Sequence, residues 1–186
     1  MAALGSSGRR RVWRLAIGDA KLRTIDFLIL AHVEDQYMLI PPKKTYTTKQ
    51  MGDACEMLVA AELTLAGNPA LKVPDYWPGC DVIAQPPGKE PQLISVKSRT
   101  FKRGAAFVGY QQSDVFHWLA IVLLPDDLQN ERRIFLLPRS IADAQSRSNS
   151  PTAKNASERY WRIDEVPNRF SDYESNFGLL ERPLPS

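Results

Sequence analysis

The chain has 186 residues, room for about one domain with some decoration. Its 44% hydrophobic and 24% charged residues are ordinary for a soluble globular protein with one real core. The longest apolar run, residues 117–124, is far short of the ~20 residues a membrane span needs, and the formal charge of +3 permits a polyanion partner without arguing for one.

The first residues, MAALGSSGRRRVW, place their charges after the apolar positions and lack a long apolar core, so no signal peptide is expected. The two cysteines, Cys55 and Cys80, form no CxxC pair and no disulfide framework. Together these features imply a reducing, cytoplasmic compartment and no membrane partner.

In chain order, residues 1–12 read as a loose tail carrying Arg9, Arg10 and Arg11. Residues 24–33 and 36–41 are β-type runs around Glu34-Asp35, which predicts an N-terminal β-hairpin closed by Pro41 and Pro42. Thr47 or Thr48 can cap a helix reaching about Ala66, with Gly67 as its stop. On that helix Ala54, Leu58, Ala61 and Leu65 form one apolar stripe. Gly52, Val59 and Leu63 form a second on nearly the opposite side, and Glu56 falls within it. A helix apolar on two sides is expected to be covered on two sides.

Short strands are expected over 71–74, 81–84 and 92–97, separated by Pro/Gly punctuation. A polar basic stretch follows at 98–104. Strands at 118–124 and 133–137 flank another loop, and 139–145 reads as a short helix. Residues 146–158 read as a polar surface loop, and the aromatics of 159–182 suggest a segment that packs back onto the domain. This divides the chain into an extension over 1–45, a core over 46–145 and a C-terminal loop and packing segment over 146–186.

The segment from Gly52 to Lys97 carries the chemistry. It holds an acid on a helix, an acid opening a strand after the turn Trp77-Pro78-Gly79-Cys80, and a strand ending Ser95-Val96-Lys97. Residues i and i+2 of a strand share a face, so Ser95 and Lys97 point the same way. If the strands starting at Asp81 and ending at Lys97 pair antiparallel, the two side chains meet at one end of a sheet, and the helix can bring Glu56 there. Phosphodiester hydrolysis needs such a kit: carboxylates to hold a hard cation, Mg²⁺ or Mn²⁺, and a lysine to orient the nucleophile. Asp81 would be the direct ligand, the Val96 carbonyl another, Glu56 would hold a metal-bound water or a second ion, and Lys97 would position the nucleophile.

Gly52-x-x-x-Glu56, the helix to Gly67, Asp81 and Ile94-Ser95-Val96-Lys97 together resemble the PD-(D/E)XK nuclease superfamily over roughly residues 47–140. The small members, such as Holliday-junction resolvases and intron-encoded homing endonucleases, are the most similar in impression. The resemblance implies an α/β fold with a restriction-endonuclease-like core, a mixed β-sheet flanked by helices, to which the N-terminal hairpin is added. It implies a metal-dependent DNA endonuclease or junction-processing enzyme, with Glu56, Asp81, Ser95 and Lys97 catalytic. A homodimer or higher homo-oligomer is expected, because a duplex has two strands to cut. The chain departs from the pattern at Ser95, where the family typically carries Asp or Glu and some members carry Gln. A neutral single oxygen binds Mg²⁺ less well, and the alternative is a weakened nuclease fold used as a DNA-binding or protein-interaction module. After the lysine, Arg99, Lys102 and Arg103 suit phosphate contacts, which position DNA without reading its sequence. His117 lies in an apolar strand beside Trp118 and reads as structural.

Overall fold

The computed structural model describes residues 46–100, 107–125 and 131–182. The hairpin expected over 24–41, Arg9 to Arg11, Lys102 and Arg103 lie outside the described residues.

The first helix, α1 (Thr48–Leu65), starts where Thr47 places its hydroxyl on the Gln50 backbone N–H while the Gln50 side chain returns to the Thr47 N–H. This reciprocal cap satisfies two N–H groups that the helix leaves unpaired. Gly67, at φ +90°, ends the helix in a conformation that L side chains rarely adopt. The core face is Cys55, Val59, Ala60 and Leu63. The stripe expected from Ala54, Leu58, Ala61 and Leu65 behaves otherwise among the described residues: Ala54, Ala61 and Leu65 are exposed and Leu58 is only partly buried. The reason is that α1 lies on one face of one sheet and has a single apolar partner surface there.

That sheet contains β1 (Ala70–Lys72), β2 (Val82–Ala84), β3 (Gln92–Thr100), β5 (Trp118–Leu124) and β6 (Arg133–Pro138), in that spatial order. Neighbours are antiparallel except β3 and β5, which run parallel from Ile94↔Trp118 to Thr100↔Leu124. The architecture is therefore α/β, a mixed sheet with helices against it. The strand β4 (Phe107–Gln111) leaves this sheet and pairs with β8 (Glu158–Arg162), beside the two-residue β7 (Arg147–Ser148). The sequence reading shows no strand at 107–111. Helices α2 (Arg139–Gln145) and α3 (Val166–Arg169) and a 3₁₀ turn (Ser171–Tyr173) complete the fold. No helix among the described residues is long and apolar enough to cross a membrane.

Successive residues of β5 feed two cores. Trp118, Ala120 and Val122 face α1 together with Val82, Ile94, Val96, Ile134 and Leu136. Leu119, Ile121 and Leu123 face Val108, Tyr110, Phe135, Trp161, Phe170 and Tyr173. Trp161 is fully buried, donates its indole N–H to the Gln145 carbonyl at 2.9 Å and packs edge-on against Phe170. A buried aromatic with a satisfied polar handle is worth about 1.5–3 kcal/mol of area burial, plus its ring contacts.

Gly109 marks where β4 and β8 approach most closely. A Cβ there would collide with the Arg159 carbonyl and come within 3.0 Å of the Tyr160 Cβ. Gly109→Ala is expected to destabilise the protein by about 1–3 kcal/mol, as overpacking does. Gly52→Ala, where a Cβ meets nothing within 4 Å, should be neutral or stabilising. Urea unfolding of the two variants checks the contrast, and equal midpoints would contradict it.

Candidate metal-binding cleft

Three elements build a cleft of about 280 Å³ at one end of the main sheet. The first turns of α1 supply Lys49, Gly52, Asp53 and Glu56. The chain leaving β1 supplies Val73, Pro74 and Asp75, and the chain entering β2 supplies Cys80 and Asp81. The helical spacing is the cause on one wall, because Lys49, Gly52, Asp53 and Glu56 fall at i, i+3, i+4 and i+7.

Asp81 reaches the cleft through an irregularity in the β2–β3 ladder. Val82 faces Ile94, and the Asp81 N–H also donates to the Ile94 carbonyl at 3.0 Å. Two residues against one is the arrangement of a β-bulge, which bends the strand and re-aims a side chain. The Asp81 carboxylate then accepts from the Val96 N–H at 2.6 Å and from the Ser95 hydroxyl at 3.3 Å. Backbone groups of alternate strand residues point to the same edge, so the Val96 carbonyl lies on the edge that Asp81 caps. Asp81, Ser95 and Val96 thus meet, and Asp81 and Glu56 share the cleft.

Lys97 stands apart from that cleft. It shares a strand face with Ser95, and its amine lies 3.9 Å from the Asp114 carboxylate. Arg99 is exposed and donates to two carbonyls, Phe107 at 3.0 Å and its neighbour Ser98 at 2.8 Å. It ties β3 to β4. His117 accepts from the Leu93 N–H at 3.1 Å through Nδ1, a bond that holds the chain beside β3.

Sequence reasoning passed over Asp53, Asp75, Lys49 and Lys72. One oxygen from each of Asp53, Glu56 and Asp75 lies within 4.8 Å of the others. The Lys72 ammonium sits among them, bonded to Glu56 and 3.2 Å from both Asp53 and Asp75. Lys49 pairs with Asp75 and, at 3.3 Å, with Asp53. Glu56 is only 18% exposed, and a carboxylate so placed needs a cation. The Glu56 carboxylate, before the others, raises the Lys72 pKa above that of a free lysine. Lys49, then Lys72, lowers the pKa of Asp75. The spacing of Lys49, Asp53 and Glu56 on one helical face was the signal available in the sequence. Nothing local marks Lys72 or Asp75.

The donor set fits a hard divalent cation, being all carboxylate oxygen with a backbone carbonyl at the rim. The carboxylates fall in two groups: Asp53, Glu56 and Asp75, with the Lys72 ammonium among them, and Asp81 beside Val96.

The structure is similar to that of a bacterial homing endonuclease, at a TM-score of 0.48 and 16% identity over 72% of this chain and 90% of that one. It is also similar to Hjc, a Holliday junction resolvase of the archaeal hyperthermophile Archaeoglobus fulgidus. There the TM-score is 0.42 and the identity 16%, over 63% of this chain and 88% of that one. No family model matches the sequence, and no curated protein does.

Lys72→Met removes the ammonium from between three carboxylates. The lowered Asp75 pKa means that the ion pairs stabilise the fold above the ordinary carboxylate range, near 3.8, and lose this effect as pH falls through the depressed value. The wild type should therefore be more stable than Lys72→Met at neutral pH, and the difference should vanish in acid. Thermal melts of both proteins across that range measure it, and a pH-independent difference would contradict the pairing.

Proposed function

We propose that the protein is a metal-dependent DNA endonuclease, cutting phosphodiester bonds at the cleft where Glu56 and Asp81 meet. The observation that carries this reading is the placement of the Asp81 carboxylate. It caps the open edge of β3 beside the Val96 carbonyl, in a cleft whose opposite wall is acidic.

Asp81, the Val96 carbonyl and Glu56 would hold a Mg²⁺ or Mn²⁺ ion. When bound, such an ion polarises a phosphoryl oxygen and makes a water more acidic. The chain's own residues do the rest. Asp81 is fixed by the Val96 N–H, so its free oxygen is aimed without reorganisation. Ser95 donates to the same carboxylate and orients it in place of adding a second charge. Lys97, on the Ser95 face of β3, exchanges its contact with Asp114 for the nucleophile or the scissile phosphate. Lys72 neutralises the Glu56 wall, so that a polyanion can approach an otherwise acidic cleft. Arg99, with Lys102 and Arg103 further along, contacts the DNA backbone. Cys55 and Cys80 are buried free thiols, in keeping with a reducing cellular compartment.

One observation favours a second reading, a nuclease fold used only to bind DNA or a protein. Ser95 stands where an acid would complete the ligand set, and Lys72 already compensates the remaining acids.

The test is cleavage of supercoiled and branched DNA with Mg²⁺ or Mn²⁺. Asp81→Asn and Lys97→Ala are expected to abolish detectable cutting while melting close to the wild type, and excess chelator should do the same. Cutting that survives both substitutions rejects the site. Salt-sensitive DNA binding without any cutting supports the second reading.

A further inference from the structure

The loop joining β1 to β2 carries two large aromatic side chains into solvent. Tyr76 is 87% exposed and Trp77 48% exposed. This exposure does not come from a loosely held loop. Its two feet are joined by the Val73 N–H bonding the Asp81 carbonyl at 3.0 Å, and Val73 and Cys80 are buried. The crown turns back on itself where the Trp77 N–H donates to the Pro74 carbonyl at 2.8 Å. Gly79, at φ +84°, lies so close to Val115 that a Cβ there would come within 3.0 Å of its carbonyl oxygen. The backbone is thus pinned at both feet and on one flank, and the aromatic pair still points outward.

The same loop lines the cleft on either side of that pair, with Pro74 and Asp75 before it and Cys80 and Asp81 after it. Tyr76 is bonded directly to Asp75, and only Pro78, Gly79 and Cys80 separate Trp77 from Asp81.

We propose that Tyr76 and Trp77 form a stacking platform for unpaired nucleobases next to the phosphodiester held in the cleft. The preferred substrate is then DNA with unstacked bases beside the cut, not continuous duplex. The inference rests on the nuclease reading above and adds the substrate class. Every base has a π-face, so aromatic stacking tolerates sequence but requires a base out of its helical stack. Bases in intact duplex offer no face without an unstacking cost, which is least where they are already unpaired. The charge of the cleft and the chemistry of the loop divide the nucleotide between them: phosphate inward, base outward.

The experiment uses the full chain in EDTA, so that no strand is cut. Fluorescence anisotropy compares a fully paired, end-labelled DNA duplex with the same duplex carrying a short central bubble. The wild type should bind the bubble about tenfold more tightly, in line with one stacked base. Trp77→Ala should erase that preference while leaving duplex binding within about twofold, and Trp77→Phe, which keeps a ring, should retain most of it. Trp118 and Trp161 are buried and Trp13 is common to both proteins, so quenching of indole fluorescence by the bubble that is lost in Trp77→Phe gives a second readout. Equal binding of the two DNAs by the wild type overturns the inference, and so does a preference that survives both Trp77→Ala and Tyr76→Ala. If those results come with metal-dependent cutting of paired DNA, the nuclease reading stands and only the platform falls. If neither DNA is bound at low salt, both fall.

Discussion

The site depends on a mismatch of strand lengths. β3 has nine residues and its neighbour β2 only three, so beyond Ile94 the edge of β3 has no strand partner on that side among the described residues. A backbone N–H left bare in a half-buried place costs free energy comparable to a lost hydrogen bond. Asp81 meets this need at Val96. One carboxylate thereby closes a ladder and faces a cleft. The bulge that puts it there is a local departure from regular pairing.

Charge balance is the second constraint. Four carboxylates, Asp53, Glu56, Asp75 and Asp81, line a small volume, and two lysines answer them. Without Lys72 the three clustered acids would repel one another. A remnant of negative charge is left at Asp81, which is where a small hard cation would find its best attraction.

Much of this was legible in the sequence, for physical reasons that can be named. The capping box, the helix and its glycine stop are local chemistry, as are β5, β6 and α2. The antiparallel β2–β3 pair expected to bring Asp81 beside Lys97 exists, but the Lys97 amine lies by Asp114 instead. Three things were not legible. β4 was invisible because its partner, β8, lies some fifty residues on and its residues Phe107–Gln111 are short and mixed. Lys72 and Asp75 meet Glu56 only through the packing of α1 on β1, which no periodicity records. The outer stripe of α1 misled because Ala and Leu serve helix propensity as readily as burial, and Leu65 is 84% exposed.

The alternation along β5 carries a consequence for how the molecule can be dissected. Since odd and even positions of that one strand belong to different cores, the layer built by Trp161, Phe170 and Tyr173 is not an appendage to a self-sufficient half built on α1. A fragment ending at Gln145 would leave Leu119, Ile121, Leu123 and Phe135 as a bare greasy plane. Such a plane favours self-association over monomeric folding. Evolution could not have trimmed this chain to its motif, and engineers seeking a minimal version would have to redesign one whole side of the sheet.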